Sequence, residues 1–148
     1  LKGRFNMPFL RNYLMEFGIG VDTMETAVPY DRCAAVRQAV LEAMQQRIPE
    51  SMRMCHASHS YIDGACLYFT IIFPLDVSQP LEQWTALKKA VSDAILAHGG
   101  NISHHHGIGP DHREHFRKQS SPQALSALSA LKKTLDPKGN MNPGKLMT

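Results

Sequence analysis

Apolar positions along the chain recur at two spacings. From Met7 to Phe17, Phe9, Leu10, Tyr13, Leu14 and Phe17 follow the three-to-four-residue interval of one helix face, and Gly18 and Gly20 close the segment. Gly20–Val28 reads as a strand ended by Pro29. Asp31–Arg47 returns to helical spacing, with Cys33, Val36, Val40 and Met44 on one side and Pro49 as the stop. Met52–Tyr61 and Ala65–Phe73 read as two strands joined at Ile62-Asp63-Gly64, a hairpin signal. In the second strand Ala65, Leu67, Phe69, Ile71 and Phe73 form a fully apolar face, and Cys66, Tyr68, Thr70 and Ile72 form a mixed one. The apolar face requires a cover of helices, and the mixed face is free to line something else.

Ser78–His98 is a further helix, striped by Leu81, Trp84, Leu87, Val91 and Ile95. Asn101–Ser103 fits a short fourth strand. The resulting order, β-α-β-β-α-β, predicts an α+β fold of the split, ferredoxin-like kind, with both helices on one face of an antiparallel sheet. Two more helices come after it. Pro110 opens the first (Asp111–Lys118), with Asp111 and Glu114 near its start and Arg117 and Lys118 at its end. Ser121 caps the second and Pro122 takes its first position, and Leu125, Leu128, Leu131 and Leu135 are expected to face the core. The tail from Asp136 to Lys145 is turn chemistry throughout.

At 148 residues the chain is long enough for one domain with a real core, and 43% hydrophobic with 20% charged residues is ordinary for a globular protein. A net charge of +3, scattered along the chain, does not point to nucleic acid. No apolar run is long enough for a membrane span, and no signal-peptide pattern is present. The start at Leu1 rather than Met is expected of a fragment. Cys33, Cys55 and Cys66 make an odd count without a CxxC pair, which favours a reducing, cytoplasmic setting over a disulfide framework.

The candidate chemistry centres on Gly99–Gly109, GGNISHHHGIG. His104, His105 and His106 can exchange protons near neutral pH, the flanking glycines permit close approach, and the next helix offers an anion-favouring N-terminus. The alternative is a His-rich surface turn. Tyr68, on the mixed face, suits a proton carrier or a packed sheet tyrosine. Arg11 suits a carboxylate or phosphate clamp, or a surface arginine. The density of His98, His104, His105, His106, His112 and His115 raises the question of a metal, but consecutive loop residues rarely converge on one ion and no HExxH is present. No metal site is expected.

Four stretches, Glu25–Arg32 (ETAVPYDR), Asp63–Phe69 (DGACLYF), Gly99–Gly109 and Leu135–Lys145 (LDPKGNMNPGK), together resemble the C-terminal region of FAD-linked oxidases of the vanillyl-alcohol-oxidase superfamily. Within it the chain is most similar to the alkyldihydroxyacetonephosphate synthases and their bacterial relatives. The resemblance implies that residues 1–148 form the cap and substrate domain, with FAD held mainly by an N-terminal domain that is absent from this chain. It implies an exchange in which the flavin captures the dihydroxyacetone-phosphate carbon, fatty acid leaves and fatty alcohol replaces it, a step of ether lipid synthesis. Tyr68 matches the acid/base tyrosine and His104, His105 and His106 match the histidine run near the flavin. Arg11 matches a substrate-binding arginine. The Asn-Pro-Gly-Lys tail matches a segment returning to the cofactor, so that His106, Asn142 and Lys145 are the expected FAD contacts. The implied partners are the FAD-binding domain of the same polypeptide, a small phosphorylated or 2-hydroxy-acid substrate and, as an option, a second copy in a homodimer. In a eukaryote the implied location is the peroxisome, although Lys145-Leu-Met-Thr148 departs from the Ser-Lys-Leu signal.

The rival within the superfamily is an FAD-dependent dehydrogenase of D-2-hydroxy acids such as D-lactate or glycolate. Those relatives show a HxGDGNLH strand and an AEHG loop, whose two His and Glu can bind a divalent metal. Tyr61 and Tyr68 stand where that pattern has its histidines, and His105 where it has its Glu. Departures from the synthase pattern also exist: Pro110-Asp-His-Arg-Glu-His115 replaces a Lys- or Arg-rich stretch, and the tail is of the bacterial type. A stand-alone ferredoxin-like binding module is a reading of another class, and it leaves Tyr68 and the triple histidine without a purpose.

Overall fold

The structure, a computed structural model, describes residues 7–146. Eight elements succeed one another: α1 (Met7–Glu16), β1 (Ile19–Pro29), α2 (Cys33–Arg47), β2 (Met52–Ser60), β3 (Gly64–Pro74), α3 (Pro80–Ala97), α4 (Gly109–Gln119) and α5 (Pro122–Leu135), with a single 3₁₀ turn at Tyr30–Arg32 leading into α2. The strands form one antiparallel sheet in the order β1-β3-β2. β3 is central: α2 carries the chain from β1 to β2 on the opposite edge, and the tight turn after β2 brings β3 back between them.

The alternation of β3 is realised as expected. Ala65, Leu67, Phe69, Ile71 and Phe73 are buried. Leu67, Phe69, Ile71 and Phe73 meet Val36, Val40 and Met44 of α2, Leu87, Val91 and Ile95 of α3, and Met24 and Val28 of β1 in one core. Both helices therefore lie on the same face of the sheet. Trp84 and Lys88 tie α3 to β1 through Asp22: the indole N–H donates to Oδ2 at 2.8 Å and the ammonium lies 3.2 Å from it.

The fourth strand is not formed. Asn101 N–H donates to Ala27 O at 3.0 Å, and Thr26 Oγ1 donates to Asn101 O at 2.7 Å. The segment thus lies along the free edge of β1, where a fourth strand would run, but the Thr26 and Glu25 side chains hold Asn101–His106 in place of a backbone ladder. Gly100 permits this approach, since a Cβ there would stand 2.6 Å from Thr26 Oγ1 and 2.9 Å from an Ile95 methyl.

Two apolar stripes are left largely uncovered, and the one on α5 differs from expectation. On α5, Leu125 and Leu128 are half-buried and Leu131 and Leu135 are 54% and 70% exposed, so the stripe does not face the core. It walls a groove of about 640 Å³ with Met141, Asn142 and Lys145 of the tail. On α1, Phe9, Leu10, Tyr13 and Phe17 are exposed. Periodicity reports that a helix has an apolar side, not that this chain supplies its cover. No described helix is long and apolar enough to cross a membrane.

Candidate functional site

Neither α2 nor α3 covers the second face of the sheet. Antiparallel register puts Glu25 of β1, Tyr68 of β3 and His56 of β2 in one row across it, with Ala27, Cys66 and His59 in the next. A bulge between Ala57 and His59 accounts for His59: the extra residue, Ser58, shifts the register by one, so His59 stands opposite Cys66. Val21, Thr23, Thr70, Ile72, Met52 and Met54 continue the surface, and both methionines are exposed.

The histidine loop folds down onto this face because of Glu25. That residue is 3% exposed, and its Oε1 accepts the backbone N–H groups of His104, His105 and His106 at 3.1, 2.6 and 2.5 Å. Burial works against the carboxylate charge, but the three N–H donors, helped by the His106 ring, outweigh it and hold the group below its ordinary value of 4.5. Its other oxygen, Oε2, lies 2.9 Å from His105 Nδ1 and accepts from the Cys66 thiol at 3.8 Å. Gly107, at φ +80°, turns the chain away again towards α4.

The rings are arranged in sequence over the face. Tyr68 makes an edge-on contact with His106 (centroids 5.4 Å apart) and packs against His56 at the same distance. None of the described residues hydrogen-bonds the half-buried Tyr68 hydroxyl. Tyr61 OH lies 3.0 Å from His104 Nε2, and His104 Nδ1 lies 2.7 Å from His105 Nδ1. Tyr68 and His104–His106 are therefore brought together in one constellation.

The remaining predicted residues are elsewhere. Arg11 is exposed on α1 and no contact joins it to Tyr68 or the histidines. Asn142 and Lys145 line the groove under α5; that groove meets the cleft containing His106 at Gly109, which borders both. Arg113 fixes the tail by donating to Gly144 O and Lys145 O at 3.1 and 3.2 Å. The six-histidine cluster separates: His98 Nδ1 contacts Ala94 O at the end of α3, and His115 pairs with Asp93 at 2.9 Å, between α4 and α3. His112 is half-buried, and its ring is pushed towards the neutral form by burial and by Lys88.

Glu25 and Cys66 belong to this constellation and were not among the candidate site residues read from the sequence. Parity supplied a signal: in the predicted strand Glu25 points opposite to Met24, Thr26 and Val28, towards the face of Tyr68 and Cys66. With His104 and His105 they bring four potential ligand atoms within 4.8 Å of one another, whereas the histidine spacing alone had pointed to no metal site.

Comparison with known proteins places the chain in a family. The model of FAD linked oxidases, C-terminal domain, matches residues 2–146. The chain is 34% identical over 148 residues to an alkyldihydroxyacetonephosphate synthase of Trypanosoma brucei brucei, covering 97% of this chain and 24% of that protein. It is 30% identical over 148 residues to the synthase of Dictyostelium discoideum, with the same coverage of each. A solved alkyldihydroxyacetonephosphate synthase structure superposes with a TM-score of 0.65 and 25% identity, over 95% of this chain and 23% of that one. The chain thus spans about a quarter of the length of these relatives.

Proposed function

Because the chain belongs to the FAD-linked oxidases as their C-terminal domain, we propose that it is the cap and substrate domain of an alkyldihydroxyacetonephosphate-synthase-like enzyme. The reaction is exchange of the acyl group of acyl-dihydroxyacetone phosphate for an alkyl group: the ester C–O bond to the substrate carbon breaks, fatty acid departs, and the oxygen of a fatty alcohol bonds to the same carbon. The FAD is carried mainly by another domain of the same polypeptide.

The observation that carries this reading is the open face. A sheet face with Tyr68, His56 and His106 rings suits a planar aromatic group: the histidine loop overlies part of it, and Met52 and Met54 beyond the loop are exposed. His106 is the residue of that face that would touch the flavin, with Asn142 and Lys145 contributing from the neighbouring groove. When bound, the flavin would supply a ring nitrogen able to act on the substrate carbon. Tyr68 takes the proton from that carbon and returns it, since its hydroxyl has no competing partner among the described residues and its ring is set by His106 and His56. Glu25 positions the histidine loop, and the loop excludes water from Tyr68. Arg11 binds the anionic end of the substrate. Hydrophobic walls from Leu128, Leu131 and Leu135 suit an alkyl chain, and the groove they form joins the histidine cleft at Gly109.

The test uses the full-length protein containing this domain. Supplied with acyl-dihydroxyacetone phosphate and a fatty alcohol, it is expected to form the ether product. Under anaerobic conditions its flavin band is expected to stay oxidised with D-lactate, glycolate or D-2-hydroxyglutarate. Bleaching by any of these acids, without ether formation, makes the enzyme a dehydrogenase.

A further inference from the structure

The constellation beneath the histidine loop has more donor atoms than proton transfer needs. We propose that Glu25 Oε2, Cys66 Sγ, His104 Nδ1 and His105 Nδ1 form a tetrahedral site for a zinc-like divalent cation, which staples the loop to β1 and β3. The proposal stands on the geometry of these four residues and not on the flavin reading. It differs from the metal pattern of the hydroxy-acid dehydrogenases, whose positions correspond here to Tyr61, Tyr68 and His105, because Glu25 and Cys66 lie outside that pattern.

The donor set is one sulfur, two imidazole nitrogens and one carboxylate oxygen, the mixture that zinc takes and that the all-oxygen preference of calcium and magnesium does not. The distances are close to what such a site requires. Metal bonds of about 2.0–2.3 Å at tetrahedral angles put ligand atoms roughly 3.3–3.7 Å apart. Glu25 Oε2 already stands 3.8 Å from Cys66 Sγ, 2.9 Å from His105 Nδ1 and 4.0 Å from His104 Nδ1. The two imidazoles, 2.7 Å apart at their Nδ1 atoms, need to separate by less than about an ångström, and both sit on a loop at the surface.

The outer contacts of such a site are present as well. Glu25 Oε1 is saturated by three backbone N–H groups, which keeps the carboxylate charged and aims Oε2 alone at the cluster. The Tyr61 hydroxyl stands beside His104 Nε2, the partner that orients a histidine whose Nδ1 is the ligand. Without a cation, His105 Nδ1–H must be shared between Glu25 Oε2 and the lone pair of His104 Nδ1. A cation uses both ring lone pairs at once. Cys66 is wholly buried; burial and the Glu25 carboxylate push its thiol up, an arrangement that a neighbouring positive ion reverses. On loading, the thiol proton leaves to solvent and the ring proton of His105 moves to its outward nitrogen. The thiolate and the carboxylate then balance the two positive charges, and Tyr68 and His106 stay free for chemistry.

The experiment is metal analysis of the full-length flavoprotein after equilibration with zinc and exhaustive dialysis against metal-free buffer, repeated with cobalt. The expected result is stoichiometric zinc in the wild type. Cobalt should give tetrahedral d–d bands to the red of the oxidised flavin, together with a thiolate charge-transfer band that reports Cys66 directly. Both Cys66→Ala and His105→Gln should lower zinc affinity by more than about tenfold. Should Cys66→Ala fail to fold, the wild-type charge-transfer band and His105→Gln, a change on the exposed loop, carry the test. Zinc removed from the wild type by dialysis, cobalt bound without the thiolate band, or wild-type retention in either variant overturns the proposal.

Discussion

Leu67 and Tyr68 are neighbours in β3 and belong to different worlds. Leu67 points into a core shared with α2 and α3. Tyr68 points to a face covered, within the described chain, by one histidine loop. The first environment is made by residues with the same hydrophobic character and arises from alternation. The second is assembled from side chains far apart in sequence, with Glu25 reaching across 79 to 81 positions to hold His104, His105 and His106. One face of the sheet holds the core and the other the proposed chemistry, so damage to the two faces should read out differently.

The largest effect is expected on the helix-covered face. Phe69 is fully buried at the centre of the core, and Phe69→Ala should cost about 3–5 kcal/mol, enough to leave the full-length protein largely insoluble or unfolded, as followed by thermal denaturation. On the open face, Glu25→Gln replaces a charged acceptor of three N–H groups with a neutral one. It should cost about 1.5–3 kcal/mol, concentrated in the loop, and the amides of His104–His106 should lose protection from hydrogen exchange while those of β3 keep theirs. A uniform loss across both would show that the loop and the sheet are one cooperative unit.

Acid should act in the same direction and more gradually. The folded-state carboxyl of Glu25 lies below its ordinary 4.5, so its contribution is complete above that value and is lost as pH falls through the lower, folded one. His112, held below its ordinary 6.5 by burial, adds an earlier decline: below that pH the unfolded chain takes up a proton that the folded one resists. Stability measured by thermal denaturation from neutral pH downwards should therefore fall in two stages. A protein equally stable at pH 7 and pH 5 would remove His112 from the account, and one that loses no further stability as pH falls below 4.5 would remove Glu25.

Much of the fold was legible because it depends on local pattern. The two faces of β3, the hairpin at Ile62–Gly64 and the shared side of α2 and α3 all arise from alternation and helical spacing. Three features were not. Asn101–Ser103 has the composition of a strand, but its neighbour β1 engages it through Thr26 and Glu25 side chains instead of a ladder. The leucines of α5 announce an apolar side without announcing its partner. Glu25 reads as one strand carboxylate among several until the loop that it captures is seen. Of the site, the histidine run and Tyr68 were legible as a motif; their convergence depended on that one buried carboxylate.

The most direct measurement compares Tyr68→Phe with Leu67→Ala in the full-length enzyme, recording turnover per bound FAD and the melting temperature of each. The division between faces predicts that Tyr68→Phe lowers turnover by more than ~10²-fold and leaves the melting temperature close to wild type. Leu67→Ala should lower the melting temperature and leave turnover per folded, flavin-loaded molecule unchanged. A loss of less than about tenfold in Tyr68→Phe, or a melting temperature that falls along with its turnover, would make Tyr68 a packing residue and contradict the assignment of chemistry to the open face.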